Sequence, residues 1–204
     1  MMQHGMKKII SMGLMVFFGF MAAPSHASWL IYHKPEFKGR VIGAETKAPI
    51  EGAAVSVYYE VLYYDIGGGG TRVIHTKETL TDENGEFVIP SYTTLMLPFN
   101  TSANADFIIY KPGYASYPGG VFLCLFNPEF FFSEKKAGSN GECKIDKVPI
   151  TLTFGVLELP SLSTKYDRLR AIPSRPTCCG AEEFPFLYQL INEERRRFGL
   201  GEVN

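Results

Sequence analysis

The chain has 204 residues, with 20 Lys+Arg against 21 Asp+Glu and a formal net charge of −1. That balance excludes the basic stripe of a nucleic-acid binder, so no nucleic-acid partner is expected. Hydrophobic residues at 46% and charged residues at 20% exclude a mainly disordered chain, and 16 Phe with 11 Tyr suit a β-rich core.

Residues 1–27 read as a secretory signal peptide. Lys7 and Lys8 give the positive start, Ile9 to Ala23 an apolar run of 15 residues, and Pro24 a break before Ser25-His26-Ala27, whose small residues suit a signal peptidase. A bilayer-spanning helix needs about 20 apolar residues, so no transmembrane span is expected after cleavage. The expected location is periplasmic or secreted, with a mature net charge of −3 from 18 basic and 21 acidic residues.

From Phe37 onward the pattern predicts strands. Lys38 to Ala44 alternates loosely, and Ala53 to Tyr64 (AAVSVYYEVLYY) is rich in Val and Tyr. Gly67 to Gly70 predicts a mobile loop, followed by an extended Thr71 to Thr81. Asp82-Glu83-Asn84-Gly85 predicts a hairpin turn, because Asn-Gly readily supplies positive φ. Glu86 to Ile89, Asp106 to Tyr110, Val121 to Phe126 and Val148 to Leu157 predict further strands. Short strands at turn-punctuated intervals predict an antiparallel sandwich over residues 28–158. Residues 159–204 predict a C-terminal extension with one helix, over Phe184 to Phe198, stopped by Gly199; Thr164 to Ile172 is charged and compatible with a second. The run Glu193 to Arg197 predicts a solvated helix face with internal ion pairs.

All four cysteines, Cys124, Cys143, Cys178 and Cys179, lie in the mature chain, and an even count after export points to disulfides. Three connectivities exist. Cys178 with Cys179 would need a strained eight-membered ring, whereas Cys124 with Cys143 closes a loop of about 20 residues, a link of about 3 kcal/mol. No CxxC spacing occurs and only His33 and His75 remain after cleavage, so no metal or other cofactor is expected.

Residues 37–57 (FKGRVIGAETKAPIEGAAVSV) and Thr81-Asp82-Glu83-Asn84-Gly85-Glu86-Phe87 carry a family resemblance. Gly39-x-Val41, the turn ending in Pro49-Ile50, the small pair Gly52-Ala53, the Thr-Asp-x-x-Gly-x-Phe turn and Tyr110-Lys-Pro-Gly-Tyr114 together resemble the carboxypeptidase regulatory-like domain family. The resemblance covers roughly residues 36–115. It implies an all-β, Ig/transthyretin-like sandwich in which Val55, Val57 and Phe87 face the core, and a non-catalytic folding, adhesion or binding role.

Candidate chemistry is sparse. His33-Lys34-Pro35-Glu36 has the HxxE spacing of a zinc pair, but Pro35 interferes with the turn that would join the ligands. Asp82, Asn84 and Glu86 alternate like the start of a calcium loop, yet Gly85 is out of register for one. Gly67 to Gly70 lacks the Gly-Lys-Ser/Thr of a phosphate loop. Phe130, Phe131 and Phe132 follow Asn127-Pro128 as a candidate partner-binding patch, with buried core as the competing reading. The sequence therefore predicts a non-enzymatic module that binds a protein or cell-envelope component. A hydrolase or metal-dependent enzyme with an unrecognised site, and a structural envelope subunit, are the alternatives.

Overall fold

A computed structural model describes residues 30–96, 100–119, 131–133, 142–145, 148–151, 155–174 and 179–204. The expected signal peptide and the strand expected at Val121 to Phe126 lie outside them. The described chain is mostly β, with antiparallel and mixed sheets and two helices.

Two three-stranded sheets form the body. In one, β2 (Phe37–Gly43) lies between β5 (Glu86–Ile89) and β10 (Val156–Leu159). In the other, β3 (Ala54–Asp65) lies between β4 (Gly68–Leu80) and β7 (Asn100–Tyr110). Smaller pairs join β1 (Ile31–Lys34) to β6 (Tyr92–Leu95) and β8 (Glu142–Ile145) to β9 (Val148–Thr151). The β2–β10 pair is parallel, where a wholly antiparallel arrangement was expected. More than 100 residues separate the two strands, so no tight turn dictates their direction.

Alternation along β3 divides its side chains. Val55, Val57, Tyr59 and Val61 enter one apolar cluster with Phe37 and Val41 of β2, Phe87 of β5 and Leu157 of β10, drawing on both large sheets. Burial of each such side chain contributes about 1.5–3 kcal/mol. Phe132 joins this cluster edge-on to Phe87, with ring centroids 5.1 Å apart, and Phe131 packs against it at 4.8 Å. They are 2% and 9% exposed, so of the two readings open for Phe130 to Phe132, core and not the candidate patch holds at these two positions; Phe130 lies outside the described residues. Gly39 makes room for them. A Cβ there would come within 2.6 Å of the Phe132 ring, while Lys38 N donates to the Phe132 carbonyl at 2.9 Å.

Two turn expectations change. Gly68 to Gly70 are not a mobile loop but the start of β4, paired with Asp65, Tyr64 and Tyr63. The Tyr63 and Tyr64 side chains lie where Cβ atoms on Gly70 and Gly69 would project, so rings stand in for the missing side chains. Asp82 to Gly85 does not close a hairpin. It carries the chain from β4 in one sheet to β5 in the other. Thr81 Oγ1 donates to the Ile50 carbonyl at 2.6 Å and accepts from Ala53 N at 2.8 Å. The Asp82 carboxylate accepts from Asn84 N at 2.9 Å and Glu86 N at 2.8 Å. Gly85 sits at φ +74°, and a Cβ there would collide with the Val41 carbonyl oxygen, which excludes other residues.

The C-terminal extension holds two helices rather than one: α1 (Lys165–Arg170), capped by Thr164, and α2 (Pro185–Arg197). Gly199, at φ +72°, follows the end of α2 as expected. α2 buries Leu187, Tyr188 and Ile191 against Ala54, Ile108 and Tyr110 on the second face of the β4–β3–β7 sheet.

Candidate functional site

Helix α2 covers only one end of that second face. Beyond its apolar packing, two polar contacts fix the helix, one to the sheet and one to α1. Phe184, at its N-cap position, supplies no side-chain hydrogen bond. Glu78 of β4 supplies the cap instead, accepting from Phe186 N at 2.7 Å and Leu187 N at 2.8 Å while Ser56 Oγ donates to it at 2.6 Å. Burial raises the Glu78 pKa above the usual carboxylate range, and these three hydrogen bonds oppose that rise. Farther along, Glu194 is fully buried and takes a two-pronged ion pair from Arg168 of α1, both contacts at 2.6 Å. The expected solvated face over Glu193 to Arg197 is therefore corrected at Glu194. The helical period points this residue inward, whereas Glu193 makes the expected i,i+4 pair with Arg197 at 2.5 Å.

Beyond the end of α2 the same face opens into a cleft of about 870 Å³. Its wall is the consecutive run Thr71 to Thr76 of β4, completed by Tyr58 and Glu60 of β3 and by Cys179 and Glu183 before α2. Side chains of successive strand residues point to opposite faces, so an unbroken run of six marks the strand edge itself as the wall. Among the described residues no strand pairs with that edge. A register shift at Tyr59/Glu60 leaves Ile74 without a direct partner on β3.

Charge in the cleft is uneven. Burial raises the Glu60 pKa, and the nearby Asp106 carboxylate raises it further. Asp106 is opposite Tyr58 in register and so shares its face. Glu183 Oε2 accepts from Gly180 N at 2.8 Å, and Arg72 is exposed. The His75 pKa is lowered by burial and then by Lys77. Its ring stacks on Tyr92 at 4.3 Å, and Lys77 Nζ donates to the carbonyls of Pro90 and Ser91, each at 2.8 Å.

The residues singled out from sequence fall elsewhere. His33 Nδ1 lies 2.7 Å from Thr93 Oγ1, and Glu36 pairs with Lys38 at 2.7 Å, so the HxxE pair is not assembled. Asp82 spends its carboxylate on the turn amides. Cys124 and Cys178 lie outside the described residues, as does the side chain of Cys143, whose backbone belongs to β8; the expected Cys124–Cys143 bridge falls there too. Cys179 is buried, and its carbonyl accepts from Tyr188 Oη at 3.0 Å. Among the described residues no three His, Cys, Asp or Glu side chains converge to hold a metal, and no helix is long and apolar enough to cross a membrane. Apart from His75 and Cys179, the cleft residues escaped the sequence reading. Their one signal was Glu60, the single acid between Val55 and Tyr64, on the same alternation as Ser56 and Tyr58. Compared with protein-family models, curated proteins and solved structures, the chain matches none.

Proposed function

We propose that this chain is an exported, non-catalytic binding module with a carboxypeptidase regulatory-like, transthyretin-like sandwich, and that it binds a protein partner by adding a strand along β4. The open edge of β4 over Gly68 to Val73, beside the cleft, carries this reading. Such an edge offers N–H and C=O groups to an incoming chain, and three successive glycines put no side chain in its way. The Thr81–Asp82–Gly85 knot supports the family assignment, because each motif residue has a backbone contact that requires it.

A photo-crosslinking residue at position 71, compared with one at the exposed position 88 on β5, tests the reading in the protein's own cell envelope. Reproducible capture of one protein from position 71 alone is the expected result. Equal capture from both positions, or none, overturns it.

One observation favours the structural-subunit alternative. Ile31 and Leu95 face each other across β1 and β6 and are 50% and 78% exposed, an apolar pair open to self-association. Sedimentation of the wild type against Leu95→Ser decides it: a concentration-dependent oligomer lost in the variant supports a subunit, and a monomer in both removes that alternative.

A further inference from the structure

We infer that the segment taken up along β4 is basic, an extended peptide with Lys or Arg at alternate positions whose side chains cross the cleft. This rests on the strand-addition reading and names the partner's chemistry.

Geometry limits the added strand to Gly68–Val73. Beyond it, Ile74 is bulged, His75 is stacked under Tyr92, and Lys77 is tied to the carbonyls of Pro90 and Ser91. Along such a segment every second side chain falls on the cleft face of the sheet, and those beside Thr71 to Val73 reach the cleft itself. There they meet carboxylates on two separate elements: Glu60 on β3 and Glu183 before α2. Among the described residues lining the cleft the one guanidinium, Arg72, stands exposed on the strand itself, and His75 is held toward its neutral form. Charge complementarity therefore selects a cation.

The apolar floor suits the same side chains. Val73 and Tyr58 are partly buried and pack on the cluster beneath α2. An added strand lies about 4.8 Å outside β4, and β3 lies as far again on the other side. Only a long side chain spans that distance, resting its methylenes on Val73 and carrying its charge to Glu60. A short or acidic side chain reaches no partner, and an acid adds a like charge beside a carboxylate that burial already disfavours.

Synthetic nonapeptides titrated into the purified protein, with backbone amide signals followed by NMR, test the inference. One alternates Thr with Lys, one alternates Thr with Glu, and two versions of the Thr-Lys peptide are N-methylated on one or the other set of alternate amides. The expected result is Thr-Lys binding about tenfold tighter than Thr-Glu, signal shifts concentrated at Gly68–Val73, and loss of binding in one methylated version. Glu60→Gln is expected to weaken Thr-Lys about fivefold and to leave Thr-Glu unweakened. Equal affinity for the two unmethylated peptides, with methylation still blocking one version, overturns the basic partner but keeps strand addition. Thr-Lys binding that ignores methylation, or no binding by any peptide, overturns strand addition and this inference with it.

Discussion

The two ends of one sheet face differ in a way that separates a covered surface from an open one. Along β3 the residues on that face run Ala54, Ser56, Tyr58, Glu60. The first two are small and completely buried under α2, and Ser56 turns its hydroxyl to the carboxylate that starts the helix. The last two are larger, polar and partly exposed above the cleft. A carboxylate occurs at each end, with opposite fates. Glu194, contributed by the helix, is buried and matched by Arg168, whereas Glu60 is half-buried with another carboxylate nearby. A fully buried charge persists only when its partner is supplied from within the fold. Glu60 has a like charge, Asp106, near it instead, and the proposed uptake of a basic segment draws on that contrast.

Breaking the covered end should have the largest effect. Arg168→Ala leaves the fully buried Glu194 carboxylate without its two-pronged partner and is expected to cost about 3–5 kcal/mol, measured by urea unfolding. Loss below 1 kcal/mol would mean that the ion pair is not holding α2. Phe132→Ala removes a ring packed between Phe87 and Phe107 and should cost about 3–5 kcal/mol by the same measurement. A fully stable variant would return Phe132 to the surface and revive the patch. Glu78→Ala removes the borrowed cap of α2 and should cost about 1–2 kcal/mol, with faster amide exchange at Phe186 and Leu187.

Titration sharpens the contrast with smaller effects. The folded-state pKa of Glu60 is raised, so its contribution to stability is fully present below its unfolded value near 4.5 and is lost as pH rises through the folded value. At pH 7, Glu60→Gln should therefore be neutral or stabilise by up to a few tenths of a kcal/mol, given solvent screening at a part-exposed site. Clear destabilisation in thermal unfolding would mean that Glu60 already has a cationic partner inside the fold. His75 runs the other way. Its pKa is lowered, so its contribution is present above about 6.5 and is lost as pH falls through the folded value. Stability measured from pH 7.5 to 5.5 should fall less steeply in His75→Phe.

Legibility in the sequence followed the range of the interactions. The Asp82–Gly85 turn was readable because its requirements are local: an Asx carboxylate bonding amides two and four residues on, and a glycine at positive φ. Its destination was not, since pairing β5 with β2 rather than β4 depends on Val41 bonding the Gly85 carbonyl from the other sheet. Val55, Val57 and Phe87 were named as core through the family resemblance, and all three are buried. Gly68 to Gly70 were misread because glycine's freedom implies a loop until the Tyr63 and Tyr64 rings are in place beside them. Glu194 was misread for a similar reason, as the Arg168 that lets it be buried lies 26 residues upstream. The cleft was least legible of all. It is bounded by a strand edge, and a backbone edge leaves no mark in residue identity.

The cap on α2 also has a consequence for the order of folding. Its first amides bond a carboxylate 108 and 109 residues earlier in the chain, and its own N-cap residue offers nothing in place of that group. Starting a helix is its unfavourable step, and a 13-residue segment gains little by itself. Helix α2 thus waits for a strand made long before it, and a peptide spanning residues 179–204 alone should remain mostly coil. The C-terminal end then reports on the body of the protein: the helix forms where β3 and β4 have already paired, and not before.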